Sequence, residues 1–213
     1  MCNLYRLTRP NAEVARWFEA IDQLGGANFS EEIFPGTPGA VIADGALTSM
    51  NWGFPLQRKG AKGQPLKPKP VNNTRADKLD GFFWRFSFEE RRCLIPLTAW
   101  AEAEGPKGGK TRSWLALPDA PLFAVAGIWR DSDEWGRCYS MVMTDSCGVA
   151  AECHERMPVL LAPGDYATWT GGDSEAARAL CRPWEGELLL DRTAEPWAGG
   201  PGTGGAGPQA ALL

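Results

Sequence analysis

The length, composition and charge of the chain are typical of a soluble globular protein. Its 213 residues are 44% hydrophobic and 23% charged, a balance that supports one substantial core. No apolar run approaches the ~20 residues of a membrane span, and no secretory leader opens the chain. The net charge of −4 and the isoelectric point near 5.2 argue against bulk affinity for nucleic acid. We therefore expect a cytoplasmic protein that does not contact membranes.

The cysteines are scattered without the paired Cys-x-x-Cys spacing of structural zinc sites. Their distribution also argues against a secreted disulfide framework. We expect a reducing compartment, and we expect no metal and no cofactor. The cysteines are Cys2, Cys93, Cys138, Cys147, Cys153 and Cys181.

The first half of the chain mixes strand and helix patterns. Alternation favours a strand over residues 2–8, and apolar residues at helical spacing predict a helix from Asn11 to the Gly25-Gly26 pair. Asp44-Gly45 between two apolar stretches is typical of a tight hairpin turn. A strand is predicted over 51–54, a proline-rich loop follows up to Pro70, and a helix is predicted over 76–92.

The second half predicts mainly strands, with short helices at the margins. Short, sequentially adjacent strands favour an α+β fold with a curled, partly closed, barrel-like antiparallel sheet and flanking helices. We expect one catalytic domain over residues 1–192 and a disordered Gly/Pro-rich tail over 193–213. The predicted strands are 93–97, 100–104, 113–117, 122–130, 137–144, 157–161 and 188–190, and the predicted helices are 146–152, 163–170 and 173–181.

The chain opens with Met1-Cys2, and this start has chemical consequences. Removal of the initiator methionine leaves an amine and a thiol on adjacent carbons, with pKa values near ~8 and ~8.5. This 1,2-aminothiol can form an imine with an aldehyde and close a thiazolidine ring through sulfur. Alternatively, the amine serves as base for its own thiol, as in N-terminal-nucleophile hydrolases. In a third interpretation Cys2 is a small apolar residue that opens a buried strand.

Several further positions carry groups suited to proton transfer or anion binding. His154 is the only histidine, so any imidazole-based proton transfer must use it. Glu102 follows an apolar run, where burial raises the pKa of a carboxyl group. The amide of Asn72 or Asn73 can orient an amine or thiol, and Arg75 can hold an anionic group. Each of them also has a purely structural interpretation as a core, surface or turn residue.

Positive charge is concentrated in one segment of this acidic protein. Residues 58–78 hold seven Lys or Arg against one acid. The segment is either a solvated, proline-stiffened loop or a strip that faces phosphate groups.

A series of short segments follows a distinctive order along the chain. The segments are Cys2, NWGFP at 51–55, the N-x-R of Asn73 and Arg75, RRCLIP at 91–96, Glu102, AGIW at 126–129 and H-x-R-M-P at 154–158. In this order, over residues 2–190, the chain resembles SOS response-associated peptidase (SRAP) proteins, which shield abasic sites in single-stranded DNA. The opening MCNLY is similar to that of the bacterial branch of the family.

The resemblance implies a role in DNA damage repair within the SOS response. Cys2, freed of Met1, would attack the C1′ aldehyde of the ring-opened abasic sugar and close a covalent thiazolidine crosslink. Glu102 would match the family's acid/base, Asn73 the asparagine that positions the cysteine, and His154 the histidine that assists ring opening and crosslink reversal.

The resemblance also implies a DNA-binding set and partners. Arg75 would match a phosphate-binding arginine, and Trp52, Gly53 and Pro55 would lie along the DNA path, where an aromatic ring can stack on a base. The implied partner is single-stranded DNA that contains abasic sites, bound by a monomer that associates with the nucleoid while on damaged DNA.

A second function follows from the family name. The chain would then be a thiol peptidase, self-processing or acting on other proteins, that uses Cys2 with Glu102 and His154, and lyase-like activity is also implied. Departures from the family pattern are Leu4, where many relatives have an arginine, Ala103, where many have a tryptophan, and the segment 34–42. These departures predict weaker or altered DNA affinity.

Overall fold

The computed structural model describes residues 2–27 and 29–197. Strands account for 44% of the structure and helices for 18%, which confirms the predicted α+β class with a barrel-like sheet and flanking helices. Within the described residues, no helix is both long enough and apolar enough to cross a membrane.

The strands and helices are numbered in chain order. The strands are β1 (Tyr5–Arg6), β2 (Ile21–Asp22), β3 (Glu32–Ile33), β4 (Pro38–Ala43), β5 (Ala46–Trp52), β6 (Phe54–Lys59), β7 (Pro65–Val71), β8 (Asn73–Arg75), β9 (Arg92–Leu97), β10 (Ala99–Glu104), β11 (Thr111–Ala116), β12 (Phe123–Ser132), β13 (Gly136–Asp145), β14 (Arg156–Pro158), β15 (Leu160–Leu161) and β16 (Leu189–Pro196). The α-helices are α1 (Asn11–Trp17), α2 (Arg85–Glu90), α3 (Ala150–Cys153), α4 (Tyr166–Gly171) and α5 (Ser174–Ala179), and 3₁₀ turns span Ala76–Lys78 and Pro163–Asp165.

The larger sheet closes on itself. Its strands follow the order β14–β13–β12–β9–β4–β5–β2, and β5 also pairs with β13 at Trp52 and Tyr139. Strands β13, β12, β9, β4 and β5 therefore form a closed ring. The smaller sheet has the order β16–β11–β10–β1–β3. Most strand pairs are antiparallel as predicted, but β13 pairs in parallel with β5 and with β8, and β2 pairs in parallel with β5.

The two faces of the larger sheet contact different partners. Along β12, Phe123 and Val125 belong to a cluster shared with the smaller sheet, whereas Ala124 and Ala126 belong to a cluster shared with the helices. Cys2 lies in the first of these clusters. The start of the chain is thus packed between the two sheets.

Three of the predicted elements in the first half differ from the structure. The helix predicted over 76–92 is a 3₁₀ turn at Ala76–Lys78 followed by the short helix α2 at Arg85–Glu90. The first helix ends at Trp17 instead of reaching the glycine pair, and Glu19 takes a positive φ of 52°. Ile21 then joins strand β2 beside β5, because its N–H donates to Gly45 O at 2.9 Å. The predicted proline-rich loop before Pro70 is a hairpin of β6 and β7. Proline tolerates this setting because β7 pairs on one side only and its other edge needs no N–H donors.

The final strand continues beyond the predicted domain boundary at residue 192. Strand β16 extends to Pro196, and the N–H of Trp197 donates to Lys110 O at 2.9 Å. The start of the predicted disordered tail is therefore an ordered strand. The rest of that tail, from residue 198 onward, lies outside the described residues.

Gly39 allows the two sheets to join tightly. The hydroxyls of Tyr5 and Tyr139 lie 2.5 Å apart, and a Cβ at Gly39 would collide with both. We expect Gly39→Ala to lower the free energy of unfolding by about 1–3 kcal/mol, as overpacking does in closed cores. Urea unfolding measures this, with Gly164→Ala as control because an added Cβ there meets nothing within 4 Å. Equal stability of the two variants would contradict the expectation.

Candidate active site

Two adjacent asparagines hold the backbone of Cys2. The carbonyl oxygen of Cys2 accepts a hydrogen bond from Asn73 Nδ2 at 2.7 Å and another from Asn72 Nδ2 at 3.1 Å. Asn72 Nδ2 also lies 3.1 Å from Asn3 Oδ1. Both asparagines are fully buried, so these bonds are shielded from competition by water. The start of the chain is therefore fixed in one position.

The asparagine pair is itself held by the larger sheet. Asn73 begins β8, which pairs in parallel with β13. The backbone carbonyl of Asn72 accepts the N–H of Met141 and the indole N–H of Trp52, each at 2.9 Å. The family resemblance assigned the positioning role to Asn73 alone, and the structure adds Asn72. Its backbone ties Trp52 and Met141 to the point where the chain begins.

The thiol of Cys2 is protonated in this environment. Cys2 is fully buried, and its Sγ lies 3.4 Å from Leu4 O. Burial raises the pKa of this thiol well above its usual range, and the nearby Glu102 carboxylate raises it further. The thiol is therefore a proton donor at neutral pH, unlike the thiolate of a cysteine activated by a cation.

Glu102 approaches the start of the chain along the smaller sheet. Tyr5 pairs with Trp100 in antiparallel register, and the N–H of Ala101 donates to Leu4 O at 2.9 Å. Continued by two residues, this register places Glu102 level with Asn3. Glu102 is only 3% exposed. Burial raises the pKa of its carboxyl group to about 7, against the opposing effect of the positive chain terminus. Glu102 can thus both hold and release a proton near neutral pH.

Glu104, on the same face of β10, has a different environment. Its Oε2 lies 3.1 Å from Arg192 Nε and 3.4 Å from Cys153 Sγ, and it also accepts from Ser113. Burial alone raises the pKa of Glu104, but these hydrogen bonds lower it overall. The two acids are therefore distinguished by their partners, and Glu104 remains an ionised structural group.

His154 follows α3 directly and is oriented by the backbone. Its Nδ1 accepts the N–H of Arg156 at 3.0 Å, so in the neutral ring the proton is on Nε2. Burial lowers the pKa of His154, and the positive chain terminus lowers it further. The imidazole is therefore neutral at pH 7. The positive chain terminus thus lowers the pKa of both Glu102 and His154.

The predicted DNA-binding residues fall into two groups. Arg75 is partly exposed, and its guanidinium forms two hydrogen bonds with the exposed Asp77, at 2.8 and 2.6 Å. A phosphate can compete for such an exposed pair. Trp52, Gly53 and Pro55 are all buried.

The expectation that Trp52 stacks on a base is wrong for this structure. Its ring contacts Tyr5 edge-on at 5.0 Å and lies parallel to Tyr139 at 6.3 Å, so no face is open to a nucleotide. Gly53 has a φ of 125°, and a Cβ there would approach Pro70 Cβ to 2.6 Å. Trp52, Gly53 and Pro55 are therefore packed in the interior of this structure and are not open to a DNA strand.

The departure at Leu4 also has a structural explanation. Leu4 is fully buried and packs with Ala101 and Trp114. The guanidinium of Arg6 lies 3.6 Å from the centre of the Trp114 ring. An arginine at position 4 would have to leave this apolar cluster, so the leucine is consistent with its surroundings.

None of the cysteines forms a disulfide, and all of them lie in the described residues. Within residues 2–27 and 29–197, no group of three or more His, Cys, Asp or Glu side chains is arranged to bind a metal ion.

The raised pKa of Glu102 gives a pH-dependent stability. The folded state holds this proton more tightly than the unfolded state, so stability is lost as pH rises from about 4.5 to about 7. We expect Glu102→Gln to remove this loss. The unfolding free energy of the variant, relative to that of the parent, should therefore rise by up to about 3 kcal/mol between pH 5 and pH 8. Urea unfolding at both pH values tests this, with the exposed Glu187→Gln as control. A gain that does not change with pH would contradict the assignment.

Comparisons with known proteins agree with the fold and place the chain in a family. A protein from Bacteroides thetaiotaomicron has a similar structure, with a TM-score of 0.75 and 17% identity over 90% of this chain and 91% of its own. A protein from Bordetella bronchiseptica has a TM-score of 0.76 and 20% identity over 90% and 99%. A phage-related protein from the same organism has a TM-score of 0.62 and 19% identity over 91% and 94%. No curated protein matches the chain.

At these identities the structural comparisons establish the fold alone. The family model of the SOS response associated peptidases matches residues 1–193, which include every side chain of the candidate site and all strands except the end of β16. The chain therefore belongs to the SOS response associated peptidase (SRAP) family.

Proposed function

We propose that the protein senses and shields abasic sites in single-stranded DNA by forming a covalent thiazolidine crosslink through Cys2. The observation that carries this proposal is the anchoring of the Cys2 carbonyl by Asn72 and Asn73, beside a buried carboxyl group with a pKa of about 7. An enzyme that used only a side-chain thiol would have no need to fix the backbone of residue 2. A terminal aminothiol needs both its nitrogen and its sulfur held in place.

The chemistry balances with groups of this chain. After loss of Met1, the Cys2 amine adds to the C1′ aldehyde of the ring-opened sugar and forms a C–N bond. Glu102 donates a proton to the departing oxygen, one water leaves, and the nitrogen returns a proton to the Glu102 carboxylate, so that an imine results. Sγ then attacks the imine carbon and forms the C–S bond, while the thiol proton ends on nitrogen. The product is a thiazolidine, and no oxidant or reductant is consumed.

The site residues have distinct roles in this scheme. Glu102 is the acid and base, and Asn73, together with Asn72, positions the nucleophile. His154, neutral and with Nε2–H as its donor, assists sugar ring opening and crosslink reversal. Arg75 binds a phosphate of the DNA after that phosphate displaces Asp77 from the guanidinium. We further propose that the protein works as a cytoplasmic monomer, associated with the nucleoid while it is bound to damaged DNA.

The burial of Cys2 sets a condition on the proposal. Cys2 has no exposed surface in the structure, so it must become accessible before it can meet a sugar. Loss of Met1 makes the Cys2 nitrogen the end of the chain and removes what precedes it. The anchoring bonds are made by the Cys2 carbonyl, which this cleavage leaves intact.

Thiol peptidase activity is the second candidate, and the family's name favours it. The electrostatics favour it less for cleavage of other proteins, because burial and Glu102 raise the pKa of Cys2 while burial lowers that of His154. A cysteine peptidase requires the reverse, a thiolate beside an imidazolium. Self-removal of the residue before Cys2 is compatible with the crosslinking function.

Incubation with a single strand that contains one abasic site tests the proposal. We expect an adduct that survives SDS and heat, none from Cys2→Ala, and at most a labile imine from Cys2→Ser. Cys181→Ser is the matched thiol control, since Cys181 packs on the helical side and contacts Ala177 O. Peptide cleavage without any DNA adduct would support the peptidase instead. A heat-stable adduct from Cys2→Ala would overturn the assignment of the nucleophile.

The asparagine anchor gives a second expectation for the same assay. Asn73→Ala removes the 2.7 Å hydrogen bond to Cys2, and a loosely held nucleophile typically costs about 10- to 100-fold in rate. Single-turnover adduct formation measures the loss. Thr74→Ser is the control on the same strand, because the Thr74 hydroxyl bonds Ser140 and not Cys2. An unchanged rate for Asn73→Ala would remove this residue from the mechanism.

A further inference from the structure

A basic groove lies at the base of the β6–β7 hairpin. It has a volume of about 810 Å³, and its lining includes Arg58, Lys67, Lys69, Pro70 and Trp135. Arg58 and Lys67 are exposed, and Lys69 is half-buried. Among the described residues that line the groove, none is acidic. Only part of the basic segment 58–78 is therefore gathered on one surface.

The walls of the groove are fixed to each other. Asn51 Nδ2 donates to Trp135 O at 2.6 Å, and Gln57 donates to the side chain of Glu134. These bonds tie the turn between β12 and β13 to β5 and to the hairpin strand β6. Pro70 stiffens the opposite wall, because its ring fixes the backbone φ angle. The groove is thus preformed rather than a gap between mobile loops.

The groove cations are available to an outside anion. In the part of the chain that the structure describes, Arg58, Lys67 and Lys69 have no ion-pair partner within 4.0 Å. By contrast, Arg75 pairs with Asp77. Glu134, an acid on the adjoining turn, already bonds Gln57 and Ser132. Three uncompensated cations around a concave surface favour a ligand with several negative charges.

Strand β7 connects the groove to the candidate active site. It runs from Lys67 and Lys69 through Val71 to Asn72, which bonds the Cys2 carbonyl. At about 3.3 Å per residue in an extended strand, Lys69 lies about 10 Å and Lys67 about 17 Å along the chain from Asn72. These distances correspond to only a few nucleotides of an extended single strand.

We propose that this groove binds the phosphates of the DNA strand that flanks the crosslinked sugar, through Arg58, Lys67 and Lys69. The proposal rests on the proposed function and adds a second contact region to it. Trp135, half-buried at the groove wall, offers an aromatic surface to a base. The groove gives an acidic protein a local electrostatic site for a polyanion.

Paired neutralisations of hairpin lysines test the groove. The variant Lys67→Gln/Lys69→Gln removes two groove charges, and Lys59→Gln/Lys62→Gln removes two charges of the same hairpin that lie outside the groove. The first readout is fluorescence anisotropy with an undamaged single strand of about 20 nucleotides, long enough for one binding module. We expect the slope of log K against log salt to fall by about 1.4 for the groove pair, or about 0.7 per phosphate contact on a single strand. We expect little change for the control pair.

Adduct formation provides the second readout. With an abasic strand of about 20 nucleotides the groove pair should react several-fold more slowly at limiting DNA. A strand of about 3 nucleotides with the abasic site at its centre leaves one nucleotide on each side, is too short to reach the groove, and should react normally. Equal losses for both lysine pairs, or no loss for the groove pair, would overturn the proposal. If the parent protein forms no adduct with either strand, the crosslinking function fails, and the anisotropy slopes still decide for or against the groove.

Discussion

The structure depends on the hydrogen bonds that two buried amide side chains donate to one backbone carbonyl. Asn72 and Asn73 both donate to Cys2 O, and Asn72 is in turn bonded by Trp52 from the larger sheet. A chain terminus normally frays, because nothing offsets the entropy of its ordering. Here the ordering is supplied by hydrogen bonds in a dry interior, where such bonds are strongest. The two sheets meet around this point. The packing that joins the sheets therefore also fixes the position of Cys2.

Burial determines the protonation states of the groups in the site. The same removal of water raises the pKa of the Cys2 thiol and of the Glu102 carboxyl group, and it lowers the pKa of His154. All three groups are pushed toward their neutral forms. A neutral thiol, a carboxyl group close to its titration point and a neutral imidazole suit proton transfer during imine formation better than thiolate attack on an amide. The electrostatics of the site thus follow from its position between the sheets.

Much of the fold was predictable from local patterns, and the failures have physical causes. The hairpin at Asp44-Gly45 and the strands of the second half follow from turn chemistry and alternation. The parallel pairing of β13 with β5 and β8 was not predictable, since alternation carries no direction. The helix prediction failed beyond Trp17 because Ile21 joins a sheet edge, a tertiary contact that outweighs helical spacing. Within the site, residue chemistry identified Cys2, Glu102 and His154 as candidates, but only the folded chain shows Asn72 beside Cys2 and Trp52 enclosed by tyrosines.

Everything in the proposed chemistry requires that the mature polypeptide begin at Cys2, with its nitrogen as a free amine. Intact-mass spectrometry of the purified protein, before and after incubation with abasic single-stranded DNA, addresses that requirement. We expect a chain lacking Met1, and we expect that species to gain the mass of the DNA strand minus one water. A protein that keeps Met1 and still forms the adduct would rule out the terminal amine as nucleophile and with it the thiazolidine mechanism.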